Sequence, residues 1–255
     1  MPAAARVPAK SRQFLVVLLA FAAAGTSAAA GAAVAAGAGE PPPWAYPVPQ
    51  GERAVPADDS RPVQVPGSSA TYLSAQLNNP YEAADWHPEE HPPLPTVVAH
   101  GRPPEVSACG YCHRADGTGG PENARVAGLP YGYILQQLAD LRSGARRTSL
   151  PQRRPQARMT AVAKALTPED ARAAAAYFST IRPRRTVRVV EAATVPRTIT
   201  QGWILVPAPG GAMEPIGRRI IEVPEDVADF EHRDTHAQFI AYVPPGALDR
   251  GARMR

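Results

Sequence analysis

Cysteine is nearly missing from this chain: 255 residues hold two, Cys109 and Cys112. A zinc site built on two thiolate pairs is thereby excluded, since no second pair exists to complete it. An excess of positive charge is also lacking. The formal charge is +4, but Arg6, Lys10 and Arg12 lie in an N-terminal segment with the marks of a removable leader, and without them the net is about +1. No basic footprint for nucleic acid remains. Acids are absent before Glu40, and residues 14–39 carry no charge at all. The basic stretch through Arg12, the apolar run Phe14 to Phe21 and Ala-x-Ala-like sites near Ser27 to Ala30 have the three-part pattern of an export signal over residues 1–30. That pattern places the mature protein in the periplasm. Left uncut, the same stretch would hold it to the membrane.

Uninterrupted helix-forming sequence is scarce as well, because thirty prolines and twenty glycines punctuate the chain. They concentrate in residues 31–105, in Pro41-Pro42-Pro43-Trp44, Asp85-Trp86-His87-Pro88 and His91-Pro92-Pro93-Leu94-Pro95. Prolines this dense forbid long helices and favour an extended, proline-rich arm. Trp44, Tyr46, Tyr72 and Trp86 are candidates to pin that arm to a folded body, and Ser69 to Leu77 is a candidate short helix. His87 and His91 stand four apart, as metal ligands on one helix face do. The flanking prolines favour two solvated or hydrogen-bonded histidines instead.

Residues 106–183 are different. Tyr133, Ile134, Leu138 and Leu141 form an apolar stripe at helical spacing, with Gly144 as its stop. A second helix opens at Leu166-Thr167-Pro168-Glu169-Asp170, with Thr167 as N-cap, proline in the first turn and an acid at the capping-box position. It runs through Tyr177 and Phe178 to an end before Pro183. From residue 184 to 255 the pattern changes to short β-type runs at 186–190, 203–206, 219–223 and 239–243, with glycine and proline turns between them. This β-rich appendage carries no recognisable catalytic signature. Met213 within it reads as a surface or gap-filling residue.

The chemistry concentrates at Cys109-Gly110-Tyr111-Cys112-His113. Two cysteines with two residues between them match the span of the two vinyl groups of a porphyrin, so each thiol can bond one. The histidine that follows at once is placed under the iron as its proximal ligand. A redox Cys-x-x-Cys would need a preceding strand and a βαβ pattern. The upstream Pro103-Pro104-Glu105-Val106 offers neither.

With these residues in view, 106–183 resembles the class I c-type cytochromes, particularly the small domains of the cytochrome c4/c553 type. The matching stretches are Cys109 to His113, Asp116-Gly117-Thr118-Gly119-Gly120, Val126-Ala127-Gly128-Leu129-Pro130, Tyr133 to Leu138, Gly144-Ala145-Arg146, Met159, and Leu166 through Phe178. The resemblance implies a mainly α cytochrome c fold, three to four helices around one covalent haem c. It also implies a distal methionine on the loop before the last helix, the place that Met159 occupies. Met159 as packing beside an open or histidine-ligated iron is the competing reading. Relatives carry a proline whose carbonyl accepts the second N–H of the proximal histidine, and here that position falls at Ala124 or Arg125. Six arginines between Arg142 and Arg158 bracket the Met159 segment, either as a cationic collar for propionates or an acidic partner, or as a solvated loop. The proline-rich lead-in and the β-rich tail resemble two-domain dihaem cytochromes. The absence of a second Cys-x-x-Cys-His gives the expectation of a monohaem form, a truncated relative of such proteins.

The sequence thus leads to an exported monohaem one-electron carrier, not itself an enzyme. Cys109 and Cys112 hold the haem, and His113 and Met159 ligate the iron. Its partners would be redox proteins: a dehydrogenase, an oxidase or other cytochromes. Two alternatives stand beside it, a cytochrome subunit of a periplasmic or membrane dehydrogenase complex, and a haem enzyme or sensor with an open iron site.

Overall fold

The computed structural model describes residues 46–48, 60–151 and 153–254; the expected signal at 1–30 and Trp44 lie outside them. The chain divides into two units, Met1–Glu40 and Pro41–Arg255, and every described residue belongs to the second. Among the described residues no helix is long and apolar enough to cross a membrane.

In chain order the helices are α1 (Ser74–Leu77), α2 (Thr96–Ala99), α3 (Cys109–His113), α4 (Tyr131–Ser143), α5 (Arg154–Ala165) and α6 (Pro168–Thr180). The strands β1 (Val187–Glu191), β2 (Thr194–Pro196), β3 (Thr198–Gln201), β4 (Ile204–Pro207), β5 (Met213–Pro215) and β6 (Ile221–Pro224) come next, then α7 (Val227–Glu231), β7 (Phe239–Val243) and α8 (Ala247–Ala252). The two helices with agreeing sequence signals form as those signals dictate. α4 stops at Gly144, which takes the left-handed conformation at φ 80° that a residue with Cβ adopts only with strain. α6 opens on Thr167, whose hydroxyl accepts from the Asp170 amide at 3.1 Å and so satisfies one of the helix's orphan donors. Thr167→Ala is therefore expected to cost about 1 kcal/mol of stability, read as a lower denaturation midpoint with an unchanged m-value.

α4, α5 and α6 pack around one apolar core. Ile134, Val162, Leu166, Ala174, Ala175 and Phe178 form its centre, and Val97, Val98 and Val106 close it from the N-terminal side. Arg142 ties α4 to the end of α5, donating to the carbonyls of Ala163 at 2.9 Å and Leu166 at 2.7 Å. This arginine of the expected collar is thus a structural tie.

The segment 60–105, expected as an extended arm, folds into short pieces. Val63 and Tyr72 pair in an antiparallel bridge, and Val65, Leu77, Ala84 and Trp86 form a small core of their own. Prolines limit helices here to a single turn, but they do not prevent side chains from burying apolar area. Trp86 is 1% exposed and meets Tyr72 edge-on at 4.6 Å, whereas Tyr46 remains exposed. His87 and His91 flank a 3-10 turn, Pro88–Glu90, and do not share a helix face. His91 Nε2 lies 3.0 Å from Asp85, and its Nδ1 lies 3.0 Å from the Tyr177 hydroxyl, which donates to the Ala115 carbonyl at 2.8 Å.

The β-rich segment consists of three small sheets. β7 is central to one, parallel to β1 and antiparallel to β6; β2 pairs with β5, and β3 with β4, both antiparallel. Val195, Ile216, Ile221 and Val223 form its core. One of its contacts with the rest of the chain runs through residues 230–236. The Phe230 carbonyl accepts from Arg114 at 3.0 Å and the His232 carbonyl from the Trp86 indole at 2.8 Å. Arg233 donates to the carbonyls of Leu77 at 2.6 Å and Tyr111 at 2.8 Å, and its guanidinium lies 3.8 Å from the centre of the Tyr111 ring. The segment thus grips the short helix that carries the two cysteines.

Candidate haem site

Cys109, Cys112 and His113 lie together on α3, whose single turn directs all three side chains toward one cavity of about 400 Å³. The glycine between the cysteines is required by packing. A Cβ at Gly110 would stand 2.8 Å from Ala83 Cβ and 3.0 Å from the Val98 carbonyl, closer than such atoms approach. Beyond the motif the backbone turns at Gly117, φ 73°, where a Cβ would meet the Ala127 amide and the Phe178 ring, each at 2.9 Å. That close approach brings the 124–129 stretch of chain against the histidine.

His113 Nδ1 lies 2.7 Å from the Ala124 carbonyl. A carbonyl only accepts, so Nδ1 carries the proton and Nε2 keeps its lone pair. Burial also pushes the imidazole below its usual pKa, which keeps it neutral and able to ligate. The acceptor is therefore the backbone oxygen at one of the two positions where the sequence placed it.

The two thiols are free and unpaired with each other. Burial pushes Cys109 up to about 12, and Cys112 is raised by the same cause. At neutral pH neither is the thiolate that a redox-exchange cysteine needs. Among the described residues the one His/Cys/Asp/Glu group spaced to hold a metal ion contains neither cysteine.

Met159 lines the same cavity, but it lies inside α5 and not on a loop. Pro155 in the first turn and the run Ala157 to Ala165 favour helix, and this helix begins before the methionine where the sequence suggested a loop. Met213, 58% exposed, lies apart on β5.

The rest of the lining is mostly apolar: Leu129, Ile134, Leu138, Leu141, Val162 and Phe178 are among its walls. Arg125, Arg146 and Arg158 add cationic groups. Arg158 donates to Ser107 Oγ at 2.8 Å, Arg146 pairs with Gln137, and Arg125 donates to the Arg184 carbonyl at 2.8 Å and to Thr186 Oγ1. The remaining arginines of the expected collar have other work. Arg153 and Arg154 lie against Trp203 in the β-rich segment, and Arg147 donates to the Gly144 carbonyl. Glu122 lines the cavity too, although nothing in the sequence singles it out.

These residues fit a covalent porphyrin. Two thiols and a neutral imidazole with a free Nε2 share one wall, a thioether stands on another, the interior is apolar, and cations are available for carboxylates.

Comparison with known proteins agrees. A family model described as cytochrome c matches residues 106–182. The thiosulfate dehydrogenase electron acceptor of Thiomonas intermedia (strain K12) is 36% identical over 83 residues, 32% of this chain and 35% of that protein. Cytochrome c-552 of Acidithiobacillus ferridurans is 36% identical over 77 residues, 30% of each chain. The chain thus spans about a third of the length of these curated relatives. Among solved structures, Acidithiobacillus ferrooxidans cytochrome c4 matches at 37% identity over 31% of this chain and 43% of its own, with a TM-score of 0.27. Thiosulfate dehydrogenase from Marichromatium purpuratum matches at 33% identity over 37% of this chain and 19% of its own, with a TM-score of 0.31.

Proposed function

We infer that this chain, whose residues 106–182 are a class I c-type cytochrome domain, is an exported carrier of single electrons that holds one haem c. Cys109 and Cys112 are its attachment points, His113 the proximal ligand and Met159 the distal one. The observation that carries this reading is the shared cavity. His113 has its Nδ1 committed to Ala124, leaving Nε2 for a metal, and Met159 is on the wall of the same space.

The bound haem supplies a one-electron ferric/ferrous couple. The chain's own residues define what that couple can do. The Ala124 carbonyl fixes the tautomer and orientation of His113 and raises its basicity as a ligand. The Met159 thioether, soft and neutral, would favour the ferrous state if it held the iron, and so would raise the potential. Were His113 and Met159 both to hold the iron, no position there would be left for substrate, which would distinguish a carrier from an oxidase. The apolar walls exclude water, and Arg146 and Arg158 supply positive charge to the cavity. The leader expected at residues 1–30 supports a periplasmic location, outside the cytoplasm where c-type haem is attached.

Met159→Ala tests the assignment. The variant is expected to lose the sulfur-to-iron charge-transfer band, to fall in reduction potential and to bind carbon monoxide when reduced, and the wild type is expected not to bind it. Rapid carbon monoxide binding by the wild type would favour an open-site enzyme or sensor and overturn the His/Met reading. A second reading, a cytochrome subunit of a dehydrogenase complex, is favoured by the relative named as a thiosulfate dehydrogenase electron acceptor. Co-purification with a catalytic subunit and thiosulfate-dependent reduction of the haem would support that role.

A further inference from the structure

We propose that His87, Glu90 and His236 form a zinc site that fastens the 3-10 turn Pro88–Glu90 to the loop between α7 and β7. Each residue offers one ligand atom, and these atoms lie within 4.8 Å of one another. Two imidazoles and a carboxylate are a donor set suited to zinc; magnesium and calcium prefer oxygen alone.

The second observation is an orphaned atom. His87 is 3% exposed, and its Nε2 is buried without a hydrogen-bond partner. Asp234 Oδ1 stands 3.4 Å away but makes no hydrogen bond with it. A buried ring nitrogen left this way costs free energy unless something takes its lone pair or proton.

The partners are prepared for a cation. His236 Nε2 lies 3.1 and 3.0 Å from the two Glu90 oxygens, so a proton now sits where zinc would bind. The Arg184 guanidinium at 2.6 Å and the neighbouring His236 imidazole at 3.0 Å favour the ionised form of the Glu90 carboxyl. It is an anion ready to ligate. Arg184 takes only Oε2, at 2.6 Å, and is anchored independently by the Thr235 carbonyl at 3.0 Å, which leaves Oε1 to the metal.

The two imidazoles stack 3.7 Å apart and 5° from parallel. Their lone pairs do not converge in that arrangement, so binding requires His236 to swing out of the stack. His236 is the one free to do so: its side chain is 38% exposed against 3% for His87. Exposure of Glu90 and His236 also opens the fourth coordination position to water. Because residues 90 and 236 lie 146 apart in sequence, a metal joining them closes a long loop and stabilises the folded chain as a cross-link does.

The test is calorimetric titration of zinc alone into chelator-treated, haem-loaded protein, so that the cysteines and His113 are already occupied. One equivalent is expected to bind, with a higher melting temperature, and magnesium to give no signal. Glu90→Gln and His236→Asn, both at exposed positions, should each weaken zinc at least about tenfold while the haem spectrum stays unchanged. No zinc uptake by the wild type overturns the proposal. So does equal uptake by both variants, which would place the ion at a surface histidine such as His100 or His232.

Discussion

A protein in which both Cys109 and Cys112 are replaced by alanine is expected to carry no covalently bound haem, even when exported by a strain with full haem-attachment machinery. Each thiol is the only atom on its side chain able to bond a vinyl group, and the chain has no other cysteine to substitute. The loss should extend to stability. The walls of the cavity are apolar side chains from α4, α5 and α6 that converge on a space of about 400 Å³. Without a covalent occupant those walls are hydrated or collapse on one another, and either outcome forfeits the burial that holds the three helices together. The expected result is no haem stain after denaturing electrophoresis and a broad, lowered melting transition. The single variants should be less severe, since one thioether still tethers the porphyrin. Haem that survives denaturing electrophoresis of the double variant would sink the attachment reading outright.

How far the sequence disclosed this site depends on how local each part is. The motif on α3 is five residues long, and its meaning comes from spacing alone. The Thr167 cap and the Gly144 stop are equally local, because a hydroxyl three residues before an amide, or a glycine at positive φ, needs no distant partner. Met159 shows where locality fails. Its place before the last helix was legible, yet its conformation was not, since the helix around it depends on Pro155 in the first turn and on packing of Val162 and Ala163 into the core. The acceptor for His113 was narrowed to two residues by the family resemblance and resolved only by the turn at Gly117 that brings the Ala124 carbonyl to 2.7 Å.

The β-rich segment was the least legible part. β1, β4, β6 and β7 fall on clear β-type runs, but β2, β3 and β5 have three or four residues each, no such run, and draw their stability from cross-strand partners. More consequential is the grip of residues 230–236 on α3. Arg114 is buried beside Phe230 with its guanidinium 5.3 Å from the ring centre, and burial depresses it to about 10. Arg233 sits at positive φ, 61°, which an arginine tolerates only when its side chain is held, as it is by Leu77, Tyr111 and the Tyr111 ring. Nothing within the sequence neighbourhood of either arginine signals a partner more than a hundred residues away.

Trp86→Ala tests whether that long-range grip belongs to the fold. Trp86 is 1% exposed, packs with Val65, Leu77 and Ala84, and donates its indole N–H to the His232 carbonyl at 2.8 Å. Removing the ring leaves a cavity at the centre of this small core and is expected to cost about 3–5 kcal/mol. Trp86→Phe separates the two contributions. It keeps most of the apolar volume but leaves the His232 carbonyl unpaired, a loss of about 1–3 kcal/mol. Both are read from denaturant midpoints of the haem-loaded protein at constant m-value, with the haem band and tryptophan fluorescence as separate probes. Coincident transitions, both lowered, are expected if residues 60–105, the helical part and the 230–236 segment unfold as one body. An alanine variant within about 1 kcal/mol of wild type, a loss typical of an ordinary surface substitution, would mean that the indole and its carbonyl partner contribute nothing to holding the cysteine-bearing helix. The role of Arg233 in gripping Tyr111 would then have to stand alone.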